Sequence, residues 1–293
     1  MIARLQRLES VWAGRPPAFL KRQAMGKVVY NPSFLRVEEG WLEVWREAAH
    51  WKDDAEAMLM RPTDEEPVAL RTLSTFARYR GRIADPKLWQ RRDGIWVTFN
   101  TGWARGGNAI FVAQVWPGLT EPMEVRWAEQ KKLEKNWGFF ENAAGELRSL
   151  YGVASGTSVL EPGAEGAAWQ EVFRAPAVPG LARRSLGSQP VAWRGRWYVT
   201  VHQKLRFNGR RMYVGQLWSF AEVAPDEYGD WKSESPHLIH RFRALRGHRE
   251  NRNIHLFSCV YLSGLAPDGT GGFWVGYGLN DRGAHLANYR PVT

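Results

Sequence analysis

The sequence predicts an all-β fold, a single five-bladed β-propeller spanning residues 1–293. Two observations carry this: hairpins recur along the chain, and they recur at a near-constant interval. Five stretches read as two strands around a turn. Val37 to Trp45 alternates about Glu39-Gly40, and Trp89 to Phe99 turns at Asp93-Gly94, a strong hairpin signal. Phe140 to Tyr151, Val191 to His202 and Tyr261 to Tyr277 follow the same plan. A polar residue, usually followed by proline, opens the first four: Asn31-Pro32, Asp85-Pro86, Asn136-Trp137 and Gln189-Pro190, separated by 54, 51 and 53 residues. A hairpin-based repeat of about 50 residues suits a propeller blade of four strands, so five hairpins predict five blades. An N-terminal segment such as Leu8 to Val11 would complete the last blade and remove its open edge. Helical periodicity is confined to short pieces, chiefly within residues 127–135.

Composition narrows the partner. With 44% hydrophobic and 24% charged residues the chain reads as an ordinary globular protein, not a disordered one. The single cysteine, Cys259, excludes a disulfide framework and a multi-cysteine zinc site, and its apolar strand is the setting of an inert buried thiol. No stretch approaches the roughly 18 apolar residues of a membrane span. The N-terminus lacks an apolar signal region, so a cytoplasmic protein with no membrane partner is expected. The formal charge of +10 suggests an anionic partner. The cations read as scattered and not massed in a tail, which argues against nucleic acid. Sixteen Trp supply either stacking platforms for sugars and bases or a heavy core.

Gly-rich phosphate loops, His-Glu-x-x-His and Gly-x-Ser-x-Gly elbows are absent. His237, His240, His248 and His255 lack a carboxylate partner and read as surface histidines. In a propeller the innermost strand of each blade lines a central funnel, and proline is tolerated at its first position. Asn31, Asp85, Asn136 and Gln189 would then converge at the funnel mouth, although each could instead cap a turn. Lys135 lies beside Asn136, His202 ends the fourth hairpin, and Asp281 follows the fifth. A carboxylate can accept sugar hydroxyls and act as general acid, Lys and His can neutralise an anion, and Trp can stack on a sugar face.

These residues carry a resemblance. Asp85-Pro86-Lys87, Glu134-Lys135-Asn136-Trp137, the strand from Trp197 to His202 followed by Tyr213, and Tyr277 to Asp281 resemble the ordered motifs of the five-bladed propellers of glycoside hydrolase family 130. That family contains β-mannoside phosphorylases, and the chain is similar to related propellers that act as glycosyltransferases. The motifs span residues 31 to 281. The resemblance implies that Asp85 is the general acid, donating its proton through a sugar hydroxyl. It also implies that Lys135 and His202 contact the phosphate or leaving-group anion, and that Asn31 and Asp281 fix sugar hydroxyls. Arg46, Asn136, Trp137, Gln189 and Tyr277 complete the substrate-binding set. Two departures stand out. The family usually reads Glu-Asp-Pro-Arg, whereas Ala84 and Lys87 flank the aspartate here. Lysine keeps the charge without the planar fork, and Arg80 or Arg82 is close enough in sequence to compensate.

An inverting hydrolase conventionally uses two carboxylates, whereas phosphorolysis or transfer from a sugar nucleotide can proceed with one. The basic excess favours an anionic co-substrate, inorganic phosphate or a sugar nucleotide, with an oligosaccharide or glycan as substrate and no metal or other cofactor. The reading from another class is a non-catalytic propeller that binds a glycan or protein at its funnel, which the departures at Ala84 and Lys87 support.

Overall fold

The computed structural model describes residues 5–8, 16–50, 54–76, 79, 82–102, 107–164, 168–207, 209–239, 256–280 and 283–291. Three four-stranded antiparallel sheets follow one another along the chain. The first holds β2 (Val28–Val37), β3 (Gly40–Ala48), β4 (Glu56–Met60) and β5 (Val68–Ala69). The second holds β6 (Ala84–Arg91), β7 (Gly94–Asn100), β8 (Ile110–Trp116) and β9 (Met123–Val125). The third holds β10 (Gly138–Glu141), β11 (Leu147–Tyr151), β12 (Thr157–Glu161) and β13 (Gln170–Ala175).

The remaining strands join in one ten-stranded sheet. It contains β1 (Leu5–Arg7), β14 (Arg184–Leu186), β15 (Val191–Trp193), β16 (Arg196–Phe207), β17 (Arg210–Ala224), β18 (Glu227–Ser233), β19 (His237–Ile239), β20 (Leu256–Pro267), β21 (Phe273–Leu279) and β22 (Gly283–Tyr289). The fourth and fifth hairpin units therefore share a sheet, fused where β17 pairs in parallel with the start of β20.

Hydrogen bonds between neighbouring units close them into a ring. Leu88 N donates to Ser33 Oγ at 3.0 Å, and Arg91 Nε to Glu141 Oε1 at 3.2 Å. Phe139 N donates to Gln189 Oε1 at 2.6 Å, Thr200 Oγ1 to Leu262 O at 3.1 Å, and Ser263 Oγ to Pro32 O at 2.7 Å. The first unit thus meets both the second and the last. The approach is close enough that a Cβ on Gly264 would lie 2.8 Å from Pro32 O.

Apolar packing repeats the same ring. Five buried clusters each straddle two neighbouring units; one joins Trp89 and Val112 to Phe139 and Leu160, and another joins Phe34 and Trp45 to Ala266 and Leu286. Trp45, Trp89, Trp96, Trp127, Trp137, Trp169 and Trp218 are all buried, so much of the tryptophan content is core. Mostly strand, with innermost strands around an axis and cores between sheets, the architecture is a β-propeller.

Two local expectations are corrected. The N-terminal strand is β1, which pairs in parallel with β19 (Leu5 with His237) and not with β22; residues 9–11 lie outside the described residues. Residues 127–135 are not helical: Trp127 makes an isolated bridge with Trp169, and turns follow. A helix instead forms at α1 (Ala18–Ala24), whose short apolar face inserts Phe19 between the last and first units. The buried Glu43 carboxylate accepts its first amides, Ala18 N at 2.9 Å and Phe19 N at 3.2 Å, satisfying donors that a helix start leaves open. Arg22 clasps Glu47 through NH2 at 2.6 Å.

Trp89 stacks on Phe139 at 5.5 Å between the second and third units. Trp89→Ala should lower unfolding free energy by about 3–5 kcal/mol, the usual cost of emptying a large aromatic site. Urea denaturation followed by circular dichroism checks this, and a loss below about 1 kcal/mol would show that the interface does not hold the ring.

Candidate active site

Asn31, Asp85 and Asn136 share a backbone conformation that explains their regular spacing. Each has a positive φ, 54°, 50° and 60°, in the left-handed region. Asn and Asp enter it more readily than other non-glycine residues. The pairing of β2 with β3 skips from Tyr30 to Ser33, and that of β6 with β7 from Ala84 to Lys87. These bulges turn the side chains out of the sheets toward one another. Gln189 does not share this conformation. It donates Nε2 to Trp137 O at 3.0 Å while accepting Phe139 N, so it ties the third and fourth units together.

Asp85 lies at the centre of the converging groups. Asn31 Nδ2 donates to its Oδ1 at 3.0 Å and Asn100 Nδ2 to its Oδ2 at 3.4 Å, while Arg46 NH1 stands 3.6 Å from Oδ1. The carboxylate remains 20% exposed. Burial pushes its pKa up, but the charges of Arg46, Lys135 and Lys87 and the Asn100 hydrogen bond outweigh this and hold it below the ordinary carboxylate value. With these neighbours alone, Asp85 is ionised at neutral pH.

Lys87 follows on the same strand and is buried. Its Nζ donates to Asn136 Oδ1 at 3.2 Å, where the Tyr261 hydroxyl also donates at 2.9 Å, and it lies 5.8 Å from the centre of the Tyr261 ring. Burial, reinforced by the charge of Lys135 and opposed by Asp85, brings its pKa down to about 8. His202 sits 4.8 Å from the Tyr261 ring and 5.9 Å from that of Tyr213. Burial and the Lys87 charge depress its pKa to about 3, with Lys135 acting in the same sense and Asp85 against it. His202 is therefore a neutral hydrogen-bonding group and not a cation. Lys135 is exposed, and its field reaches Asp85, Lys87 and His202 alike.

Two buried nitrogens here, Arg46 Nε and His202 Nδ1, have no hydrogen-bond partner among the described residues. Both belong to residues whose charge or field reaches Asp85, where a polar ligand could partner them.

The loop presenting Lys135 and Asn136 is pinned by Glu134. Its buried carboxylate accepts Trp137 Nε1 at 2.8 Å, the Tyr151 hydroxyl at 3.0 Å and the Lys131 amide. Asn108 holds the same residue through Nδ2 to Glu134 O at 2.7 Å. Glu134 is thus a fastening of the loop.

Of the residues selected by sequence, Asn31, Arg46, Asp85, Lys135, Asn136 and His202 come together. Trp137 and Tyr277 do not open onto the site: they are 2% and 0% exposed and belong to inter-unit cores, with Tyr277 stacked on His285 at 5.2 Å. Gln189, 3% exposed, is likewise interior. Asp281 lies outside the described residues. Arg82 does not compensate for the missing family arginine, since it pairs with Asp54 at 3.0 Å, and Arg80 lies outside the described residues. Sequence reasoning missed Asn100, which stands opposite Ala84 across the β6–β7 pair, and Tyr261; it read Lys87 only as a departure. The hairpin register at Asp93-Gly94 was the available signal for Asn100.

Among the described residues no three His, Cys, Asp or Glu side chains gather as metal ligands. A cavity of about 1020 Å³ opens elsewhere, lined by the turn ends of the inner hairpins, including Arg36, Trp41, Arg92, Asn142 and Asp268. It contains none of the groups around Asp85.

His202 makes a pH-dependent contribution to stability. The unfolded chain protonates this histidine below about pH 6.5, whereas the folded protein resists until about 3, so stability is lost as pH falls through that window. His202→Gln should flatten the acid limb of stability against pH, removing up to about 1.4 kcal/mol per pH unit between those values. Urea titrations at stepped pH measure it; an unchanged limb would show that His202 is not held neutral.

No protein-family model matches the sequence, and no curated protein matches it either. Solved structures do resemble it. One is from the GH130 family of mannoside phosphorylases, a study of glycoside hydrolases that target β-1,2 mannosidic linkages in Candida mannan; it has TM-score 0.62 and 10% identity over 90% of this chain and 85% of that one. Another is MPT-4, a mannose phosphorylase from Leishmania mexicana in complex with a phosphate ion (TM-score 0.57, 14% identity, 90% and 84% covered). A third is the β-1,2-mannobiose phosphorylase of Listeria innocua (TM-score 0.56, 14% identity, 90% and 91% covered). The likeness is one of fold: this chain has the β-propeller architecture of those proteins over nearly its whole length.

Proposed function

We propose that this protein is a carbohydrate-active enzyme that cleaves or forms a glycosidic bond of the β-mannoside type. Its co-substrate would be an anion, inorganic phosphate or a sugar nucleotide, and Asp85 its general acid/base. The carrying observation is the placement of the Asp85 carboxylate, bonded by two asparagine amides, within the joint field of Arg46, Lys87 and Lys135. The mannoside phosphorylases among the fold neighbours support the same chemistry.

In phosphorolysis, a phosphate oxygen attacks the anomeric carbon and the new C–O bond forms as the glycosidic C–O bond breaks. The leaving oxygen takes a proton that originates on Asp85, relayed by a sugar hydroxyl as the family resemblance implies, and the anomeric centre inverts. Lys87 and Lys135 would hold the phosphate by charge, and His202 by a hydrogen bond. Asp85 begins as a carboxylate, so it needs a reason to carry a proton. The arriving anion supplies one: its negative charge cancels the cations that keep Asp85 ionised and raises its pKa. Among the described residues Glu134 is too fully engaged to serve as a second carboxylate, which favours phosphorolysis or transfer over inverting hydrolysis. Lys87, in the place of the family arginine, supports retained anion binding and so favours an enzyme over a non-catalytic glycan-binding propeller.

Asp85→Asn should lower turnover by about 10²–10⁴-fold, the range for a lost general acid, with sugar binding largely kept. The assay is release of sugar 1-phosphate from β-mannosides with phosphate, run beside GDP-mannose and other donors; full activity in that variant excludes Asp85 from the role. Lys135→Ala should raise the KM for phosphate by about tenfold, as expected for one lost charge contact, with kcat little changed. An unaltered KM removes Lys135 from anion binding.

A further inference from the structure

The positive charge that looks scattered along the chain is concentrated in the fourth hairpin unit. Between Glu171 and Glu222 no Asp or Glu occurs, while nine Arg and Lys do: Arg174, Arg183, Arg184, Arg194, Arg196, Lys204, Arg206, Arg210 and Arg211. Two of the nine are paired, Arg174 on β13 with Glu171 and Glu129 and Arg196 with Asp230, as cations are elsewhere in the fold, where Arg148 contacts Glu146, Glu161 and Asp226.

The β16–β17 ribbon arranges part of this charge into a track that begins at the candidate active site. Its register runs unbroken from Trp197 opposite Phe220 to Phe207 opposite Arg210. Residues two apart on a strand share a face, as do directly opposed residues on paired strands. The face that carries His202 therefore continues outward with Lys204 opposite Tyr213, then Arg206 opposite Arg211. At about 3.3 Å per residue, Lys204 lies about 7 Å and Arg206 about 13 Å beyond His202.

Lys204, Arg206 and Arg210 are exposed, and none of these, nor Arg211, forms an ion pair with any described residue. Like charges directly opposed across a ladder destabilise it, so the Arg206–Arg211 pair lowers stability unless an anion lies over it. A cavity of about 340 Å³ adjoins the track, lined by Arg183, Gln203, Lys204, Leu205 and Arg206. Arg183 holds a φ of 61° there, a strained conformation for a residue of its size.

We infer that this ribbon binds the anionic part of a substrate chain: an acidic glycan whose carboxylate or phosphate groups lie on sugars adjoining the one held at Asp85. This rests on the glycosidic reading of the site. A single phosphate seated at Lys87 and Lys135 does not reach Arg206, so the ribbon serves something that continues outward. Outward of His202, Tyr213 is the one aromatic side chain on this face among the described residues, so the charged part of the ribbon lacks the row of stacking platforms that single-stranded nucleic acid uses.

The test is calorimetric binding to the full-length protein. The probes are a uronic-acid oligosaccharide, a phosphorylated manno-oligosaccharide, a neutral manno-oligosaccharide of equal length, an oligonucleotide of equal charge, and inorganic phosphate. At least one acidic glycan should bind about tenfold tighter than the neutral one, and the gap should shrink severalfold between about 50 and 200 mM salt. Which of the two binds identifies the acidic group. The triple variant Lys204→Ser/Arg206→Ser/Arg211→Ser, checked for a melting temperature no lower than that of the wild type, should lose that gap while keeping phosphate binding. Equal binding of acidic and neutral chains overturns the inference, as does a gap that survives in the triple variant. An oligonucleotide bound as tightly as the acidic glycan also overturns it, assigning the surface to nucleic acid. Phosphate that fails to bind the wild-type protein counts separately, against the glycosidic reading, and leaves the comparison of glycans on the ribbon readable.

Discussion

Lys87 is an ammonium group buried in the protein, and Asp85, two residues before it, supplies the opposing charge that its surroundings otherwise lack. Burying a cation is costly unless a counter-charge and hydrogen bonds replace its water. Asn136 and Tyr261 provide polar contact, but only Asp85 raises the lysine's affinity for its proton. The dependence runs both ways, since Lys87, Lys135 and Arg46 keep Asp85 ionised against its own burial. His202 takes the remaining outcome: surrounded by cations and out of water, it stays neutral. The protonation states of three side chains thus follow from one cluster, which the ring of inner strands must hold in register.

That ring was legible in the sequence to the extent that it is local. Asp93-Gly94 and the alternation around it specify a hairpin without outside help, and the interval between polar-residue marks reported a real backbone feature. Asn31, Asp85 and Asn136 recur because three of the innermost strands carry a left-handed residue at or near their start. Gln189 matched the interval but reaches across to the next unit with both ends of its amide. Spacing alone cannot separate these two uses of a polar side chain. Nor can it separate a tryptophan platform from a tryptophan core: Trp137 belongs to the core because its indole N–H meets Glu134, a partner three residues away whose orientation only the fold sets. Asn100 went unread although the register of its own hairpin sets it opposite Ala84, and Tyr261 because it reaches Asn136 from a strand far away in sequence.

Charge shows the same limit from the other side. Arg206 and Arg211 are five residues apart in sequence, yet antiparallel pairing sets them side by side on one face, in line with Lys204 and His202. Counting cations along the chain treats them as dispersed. Counting carboxylates is more revealing, because none occurs between Glu171 and Glu222 and none of the described ones pairs with Lys204, Arg206, Arg210 or Arg211.

On the proposed reading, the charges around Asp85 also bear on the choice of reaction. Protonation of Asp85 and binding of an anion at Lys87 and Lys135 are linked equilibria, and each must favour the other by the same free energy. An anionic nucleophile or leaving group therefore brings with it the conditions under which Asp85 can hold a proton. Water brings none: it leaves the field of Arg46, Lys87 and Lys135 uncancelled and Asp85 a carboxylate. Coupling of this kind would favour an anionic co-substrate over water by electrostatics, without any steric barrier, and it would give the cations two duties at once, holding the anion and withholding the acid until the anion is present.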